Sequence, residues 1–278
     1  MSRSAIQGRM IHPGPRAAER AVAVRADLRP VSGVLPAGRT VMDGVGALFA
    51  AHGCKGGVVR LDGVTCAPLR FVLPAPSTDG VHAAWYSDTH APDGPVRIGR
   101  ATATVGWKDG APFLHCHGTW AGTMGHLLPF DSILAADAAV HGLGAPDAWF
   151  EALPDPETAF TLFTPQGTGS GTGLLARIAP GEDAVMAIEA LAARHGIAHA
   201  RLYGVGSIDH IRFTDGSRMD CHATELRLDD AVLTQGRATV PIEVVDIAGT
   251  IMRGTLERGG NPVGVTLELI VETEGTDE

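Results

Sequence analysis

The residues with the clearest capacity for chemistry are three histidines that lie close together in the 278-residue sequence. His115 and His117 fall within an apolar run that predicts a strand, and residues two apart in a strand project from the same face. Glycines after this run predict a hairpin turn that brings His126 beside the pair. Three convergent imidazoles form the ligand set of an open zinc site, whose fourth position is left for water or substrate.

The sequence around the histidines leaves the type of site open. The same histidines would also be explained as ordinary surface or hydrogen-bonded core side chains. Cys116 lies between two of the proposed ligands, but strand alternation turns it to the opposite face, where a buried packing thiol is expected. Arg100, on the strand predicted before the hairpin, is a candidate to bind a substrate carboxylate. No plain general acid or base lies beside the histidines, so the reaction cannot be chosen.

The composition is typical of an intracellular globular protein with a substantial core. Apolar residues make up 45% and charged residues 19%, and the length allows one large domain or two ordinary ones. No apolar run approaches the roughly 18 residues of a membrane helix, and the N-terminus lacks the apolar segment of a secretion signal. The four cysteines form no C-x-x-C pair, which favours free thiols and a cytoplasmic location.

A basic N-terminal segment precedes an acidic body. Residues 1–29 contain six Arg against Glu19 and Asp27 and so carry +4, which leaves −13 for the rest of a chain whose net charge is −9. A body of this charge is a poor partner for phosphate backbones unless a local basic face exists. The sequence shows no Lys/Arg cluster beyond the N-terminal segment, so duplex DNA is an unexpected partner.

Two helix patterns divide the chain into similar halves. Apolar residues at helical spacing occupy 40–52 and 183–195, and each pattern ends at a His-Gly pair. A shift of 143 residues superimposes these patterns, and a shift of 137 superimposes residues 99–102 on 236–239. Short apolar runs broken by Gly or Pro predict strands in the remainder. The sequence therefore predicts an internal duplication at the scale of a domain.

The two predicted copies share the scaffold, but only the first contains the three histidines. At the 137-residue shift, Met252 and Gly254 stand where His115 and His117 would be, so the second copy lacks the ligands. A scaffold that occurs with and without these histidines indicates that they serve a site rather than folding.

We divide the chain into a flexible arm at 1–30 (an extra strand around 21–25 being the alternative), a first domain with the metal site at 31–163, a linker at 164–173 and a second domain at 174–278.

Both halves resemble the plants-and-prokaryotes-conserved (PPC) domain family. Three motifs support the resemblance: a Pro-Gly before a helix that ends in His-Gly at 180–196, a Gly-x-Gly-Ser segment at 204–207, and an H-x-H…G-H-L hairpin at 115–127. The resemblance spans roughly residues 35–141 and 174–272, and the histidine hairpin is its most specific part.

The resemblance implies an α+β fold, with two tandem copies of a curled antiparallel sheet that carry one main helix each. It also implies a homo-oligomer, most commonly a trimer. The same architecture is shared with acetolactate decarboxylase and a zinc-dependent ester hydrolase group, whose H-x-H…H site is similar to His115, His117 and His126. Zn²⁺, or another divalent transition metal, is the implied cofactor. Plant members bind DNA through an added Arg-Gly-Arg-Pro core, which this sequence lacks.

Three functions remain open on these grounds. The first is a metal-dependent hydrolase or lyase acting on a small acid or ester, because an open three-histidine metal polarises a carbonyl and lowers the pKa of bound water toward about 7. The second is a sensor or assembly module that binds a metal or a small ligand without turnover. The third is a DNA-associated regulator, which the charge distribution opposes.

Overall fold

The computed structural model describes residues 9–273. Residues 1–8 of the predicted N-terminal arm, and 274–278 of the predicted second domain, lie outside the described residues. Up to residue 167 the elements are β1 (Ala21–Ala26), β2 (Arg29–Leu35), α1 (Val41–Ala51), β3 (Gly56–Arg60), β4 (Thr65–Cys66), β5 (Phe71–Val72), β6 (Pro74–Ala75), β7 (Trp85–Tyr86), β8 (Val96–Lys108), β9 (Ala111–Trp120), β10 (Thr123–Leu127), β11 (Ala138–Ala145), β12 (Ala148–Pro154) and β13 (Thr161–Gly167).

The elements of the second half repeat the pattern of one helix among many strands. They are β14 (Gly173–Ile178), α2 (Ala184–Arg194), β15 (Ala200–Ile208), β16 (Ile211–Arg212), β17 (Arg218–Met219), β18 (Thr224–Leu228), β19 (Ala231–Thr234), β20 (Arg237–Thr239), β21 (Pro241–Asp246), β22 (Ile251–Thr255) and β23 (Val263–Thr273).

Both helices begin and end as their sequences predict. The side chains of Thr40 and Asp183 accept a hydrogen bond from the backbone N–H three residues on, and so cap the first turns. Gly53 and Gly196 follow the last turns with positive φ angles of 66° and 69°, a conformation that glycine adopts without steric cost. Neither helix of the described chain is long and apolar enough to cross a membrane.

Most of the chain forms two large, mainly antiparallel sheets with one strand order in common. The main path of the first sheet is β2-β11-β3-β8-β9-β10-β5, and that of the second is β1-β14-β23-β15-β18-β21-β22. The run β2-β11-β3-β8-β9-β10 therefore corresponds to β14-β23-β15-β18-β21-β22. In each half the helix follows the first strand of this run.

The strand order corrects the alignment predicted for the end of each half. The shift of 137 residues places His115 on Met252 in β22, whereas the strand order places β9 on β21. The same shift places Arg100 of β8 on Arg237, which lies in the short strand β20 outside the main path. The error arose because a four-residue match can be accidental, while hairpin position is set by strand pairing. The β21–β22 hairpin contains no histidine.

The N-terminal segment joins the second sheet. Strand β1 pairs antiparallel with β14, from Ala21 opposite Ile178 to Ala26 opposite Gly173. The next strand, β2, pairs with β11 in the first sheet, so residues 27–28 cross between the sheets. The segment predicted as a linker, 164–173, begins within β13 and ends at the first residue of β14.

Each sheet covers its own helix with an apolar core, and a third apolar cluster joins the two sheets. The first core contains Val45 of α1 and Cys116 of β9, and the second contains Ile188 of α2. The third cluster is made by both halves and includes Val58, Phe150, Phe163, Leu175 and Ile270. The two sheets are therefore in direct contact on the faces that turn away from the helices.

Partly buried ion pairs also link the halves and should make the fold sensitive to acid. Burial raises the pKa of Asp155, but the hydrogen bond and charge of Arg177 outweigh this and lower it. In the same way Arg20 lowers the pKa of Glu157. Because unfolded values are about 3.9 for Asp and 4.3 for Glu, the stabilisation is complete above these pH values. It disappears as the pH falls through the lower folded values.

We expect Asp155→Asn to reduce the drop in melting temperature between pH 5 and pH 3, because the variant removes one of these titrating groups. Thermal unfolding followed by circular dichroism at both pH values measures the change. Asp93→Asn, at an exposed carboxylate before β8, is the matched control. An unchanged pH dependence in Asp155→Asn would contradict the role of this pair.

Candidate metal centre

The β9–β10 hairpin brings the three predicted histidines together. His126 lies directly opposite His117 in the strand register, and His115 is two residues away on the same face of β9. The Nε2 atoms of His115 and His117 are 3.1 Å apart, and one ring nitrogen from each of the three imidazoles lies within 4.8 Å of the other two. Cys116 is fully buried in the first core on the opposite face, as strand alternation predicts.

The second sheet orients two of these imidazoles. Nδ1 of His115 lies 2.9 Å from Oε1 of Glu268, and Nδ1 of His117 lies 2.8 Å from the carbonyl oxygen of Leu226. Each acceptor fixes the hydrogen on Nδ1 and leaves the Nε2 lone pair directed at the centre. The second oxygen of Glu268 accepts from the Thr104 hydroxyl at 2.6 Å, so both carboxylate oxygens are paired.

Sequence reasoning missed two carboxylates of this site, Glu268 and Glu225 on β18. The second lies closest to the open centre. It is 4% exposed, and its Oε1 lies 3.8 Å from Nε2 of His117 and 3.7 Å from Nδ1 of His126. Its other oxygen, Oε2, is buried without a hydrogen-bond partner, and so is Nδ1 of His126. A carboxylate inside a fully buried strand was a usable signal, since Glu is almost never buried unless it is paired. The sequence could not show which site it serves.

Burial and neighbouring charges shift the pKa values of the ionisable groups in the site, some upward and some downward. Burial lowers the pKa of both His117 and His126 to about 3, and the charge of His115 adds to this effect. Burial acts the same way on His115, but the adjacent Glu268 outweighs it and raises the pKa of that imidazole. Burial raises the pKa of Glu225, against the charges of His117 and His115. Two of the three imidazoles are therefore neutral near pH 7, the form that binds a metal.

The geometry fits a tetrahedral transition metal. With Zn–N bonds of 2.0–2.1 Å, tetrahedral ligand nitrogens lie roughly 3.3 Å apart, close to the 3.1 Å between Nε2 of His115 and Nε2 of His117. In the absence of a metal these two nitrogens share one hydrogen bond, and Nδ1 of His126 is unpaired beside them. The donor set, all imidazole with a carboxylate nearby, suits Zn²⁺.

The histidines line a cavity of about 260 Å³ between the two sheets. The first half contributes an aromatic wall that includes Trp85, Phe113 and Phe160, and the second half contributes Glu225 and Glu268. Tyr86 also lines the cavity, and its ring packs edge-on against His126 with centroids 5.1 Å apart. The site is thus a polar centre in the lining of a small, largely apolar cavity.

Arg100 is placed away from this cavity. Its guanidinium forms two hydrogen bonds of 2.8 Å to the carboxylate oxygens of Asp229 in the second half. Burial raises the pKa of Asp229, but Arg227 and Arg100 outweigh it and lower the pKa. Arg100 is not among the residues that line the cavity. The described contacts of the Arg100 guanidinium therefore join the first half to the second.

The corresponding hairpin of the second half carries an ion-pair cluster where the first half carries histidines. Glu243 of β21 lies opposite Arg227 of β18 and Arg253 of β22 in the strand register. Its carboxylate is 1% exposed, lies 2.8 Å from Nη2 of Arg227 and also pairs with Arg253. This hairpin therefore presents charges that satisfy one another, and the described part of the second half holds no cluster of metal-ligating side chains of its own.

These features define a protein of two similar β-rich halves with one three-histidine centre built at their contact. Residues 166–271 match the Plants and Prokaryotes Conserved (PCC) domain family, which confirms for the second half the resemblance to the PPC family inferred from the sequence. The match falls on the second half, which therefore carries a PPC domain.

Solved structures resemble the chain only distantly. A PPC protein of Pyrococcus horikoshii is 17% identical with a TM-score of 0.40, and covers 50% of this chain and 94% of its own. A metal-containing protein of Archaeoglobus fulgidus is 17% identical with a TM-score of 0.39, and covers 51% and 97%. A putative DNA-binding protein of Ralstonia eutropha JMP134 is 18% identical with a TM-score of 0.36, and covers 48% and 89%. No curated protein matches the chain.

Proposed function

We propose that this protein is a metal-dependent enzyme that hydrolyses or decarboxylates a small acid or ester, with Zn²⁺ held by His115, His117 and His126. The observation that supports this most is the position of Glu225. A buried carboxylate with an unpaired oxygen lies beside three convergent imidazoles in the lining of a largely apolar cavity. It is the general acid or base that the sequence did not reveal.

The side chains around the centre have distinct roles in this proposal. Glu268 and the Leu226 carbonyl hold His115 and His117 in the tautomer that binds a metal. When bound there, Zn²⁺ supplies a Lewis acid that polarises a carbonyl. Glu225 holds or accepts a proton at Oε2, since its raised pKa brings it nearer to the pH at which general acids and bases are effective.

A binding module without turnover is the second candidate, and the same carboxylate favours it. Oε1 of Glu225 lies 3.7–3.8 Å from ring nitrogens of His126 and His117, about 0.5 Å more than the roughly 3.3 Å expected between tetrahedral ligands. A small shift would make Glu225 a fourth ligand and close the site. X-ray absorption of the zinc-loaded protein separates the two, since three imidazoles plus a water ligand support the enzyme and a fourth protein ligand supports the binding module.

Purified protein is expected to hold about one zinc per chain, because the second half offers no comparable cluster among its described residues. The double variant His115→Ala/His117→Ala should lose this metal, as measured by elemental analysis after gel filtration. His141→Ala, at an exposed histidine on β11, is the matched control and should keep it. Equal metal in wild type and the double variant, or none in either, would show that the site is wrongly assigned.

A DNA-associated role is a third candidate, because two distant structural neighbours are described as putative DNA-binding proteins. The charge of −13 outside residues 1–29 opposes it. We expect no duplex binding below micromolar concentrations at physiological salt in a mobility-shift titration. Sub-micromolar, sequence-selective binding that survives deletion of residues 1–29 would overturn this prediction.

We further propose that the two halves are tandem copies of one domain, each with one main helix. The shared strand order and the position of α1 and α2 after β2 and β14 support this.

A trimeric assembly and a cytoplasmic location stay predictions. The four free cysteines agree with a reducing compartment, and light scattering of the purified protein measures the assembly.

A further inference from the structure

Two polar side chains in the cavity, apart from the metal centre, lack a partner. Oγ1 of Thr266 is buried without a hydrogen bond in the described structure, and so is Nδ1 of His222. Both residues line the cavity, and Thr266 is only 4% exposed. Valine has the same shape as threonine without the unpaired hydroxyl, so stability alone gives no reason for threonine here. These atoms indicate a ligand that pairs with them.

The strand geometry places Thr266 beside the metal centre and not within it. Thr266 and Glu268 are two residues apart on β23, with Cα atoms roughly 7 Å apart, and both line the cavity. Glu268 contacts His115, whereas Thr266 has no contact with any of the three histidines among the described hydrogen bonds. The cavity lining therefore has an unpaired polar atom at Thr266 in addition to the polar groups of the metal centre.

We propose that Thr266 forms a second polar subsite in the cavity, and that the substrate is a small bifunctional oxo-acid or ester. Its carbonyl or carboxylate faces the histidines, and a hydroxyl or carbonyl oxygen a few bonds away pairs with Thr266. This inference rests on the proposed metal centre only for the ligand group that faces the histidines. The cavity of about 260 Å³ is below the roughly 300–1,000 Å³ of sites for drug-sized ligands, which limits the ligand to a short chain.

A matched pair of probes tests the subsite. Isothermal titration calorimetry of the zinc-loaded protein should show that 4-hydroxy-2-oxobutanoate binds about tenfold more tightly than 2-oxobutanoate, which lacks the 4-hydroxyl group. Thr266→Val should reduce this preference to less than twofold, because the valine cannot pair with the hydroxyl. Thr266→Ser should retain most of the preference, since it restores a hydroxyl group.

Controls separate this proposal from folding effects and from the metal centre. Thr266→Val should keep its zinc, and its metal-free form should melt at or above the wild-type temperature. Thr234→Val, at an exposed strand threonine outside the cavity, should bind both probes as wild type does. Titrations of metal-free protein form the second arm, because a preference that still depends on Thr266 there supports the subsite even if the metal assignment fails. A tenfold preference that persists in Thr266→Val, no preference in wild type, or no binding of either probe would overturn the proposal.

Discussion

The Glu225→Gln variant is expected to keep about one zinc per chain and to lose activity by about 10²–10⁴-fold, the usual contribution of a general acid or base. Glutamine has nearly the same size and can still place an oxygen near the histidines, but it cannot take up or release a proton. Hydrolysis of 4-nitrophenyl acetate and carbon dioxide release from small 2-oxo acids provide the first assays. The metal content of the same samples shows whether the centre is intact.

The control for this experiment is a glutamate whose carboxylate is far from the cavity. Glu189 on α2 pairs with Arg237 and Arg258, so Glu189→Gln removes a charge and two ion pairs without touching the site. It should retain wild-type activity and metal. Full activity of Glu225→Gln would show that Glu225 does not transfer the proton. Loss of metal together with activity would instead favour Glu225 as a ligand.

The second large effect is expected from Glu268→Ala, which should weaken zinc binding by about 10–100-fold, the range found when the partner of a ligating histidine is removed. Glu268 accepts from Nδ1 of His115 and from the Thr104 hydroxyl. Without it, the His115 ring loses its orientation and the negative charge that favours a bound cation. Competition with a chromophoric zinc chelator measures the change in affinity.

A graded variant keeps this prediction distinct from a general loss of structure. Glu268→Gln retains an oxygen that can accept from His115 but lacks the charge, so its zinc affinity should fall between those of wild type and Glu268→Ala. The melting temperatures of the metal-free proteins report any damage to the fold. Wild-type zinc affinity in Glu268→Ala would show that the second sheet does not support the centre.

Local sequence patterns were enough to predict that the three histidines converge. Alternation along β9 puts His115 and His117 on one face and Cys116 on the other, and the β9–β10 turn returns His126 opposite His117. All of these relations lie within one hairpin of 111–127. The helix ends were predicted for the same reason, because a cap and a C-terminal glycine act on the nearest turn.

Relations between distant segments were predicted less well. The repeat of the helix pattern was detected, but the alignment of the hairpins was wrong, because the match of 99–102 with 236–239 ignored strand pairing. Arg100 was chosen for its nearness to the histidines in sequence. The structure directs its guanidinium to Asp229, a carboxylate 129 residues away.

The sequence by itself therefore determined that three imidazoles converge, since this depends only on backbone periodicity and one turn. The tertiary structure alone decided what surrounds them. The contact between His117 and Leu226 spans 109 residues, and that between Thr104 and Glu268 spans 164. The free energy that brings such segments together comes from burying the apolar cluster between the sheets. That burial also places Glu225 out of water beside the histidines. Within residues 9–273, both halves therefore contribute to the one three-histidine cluster.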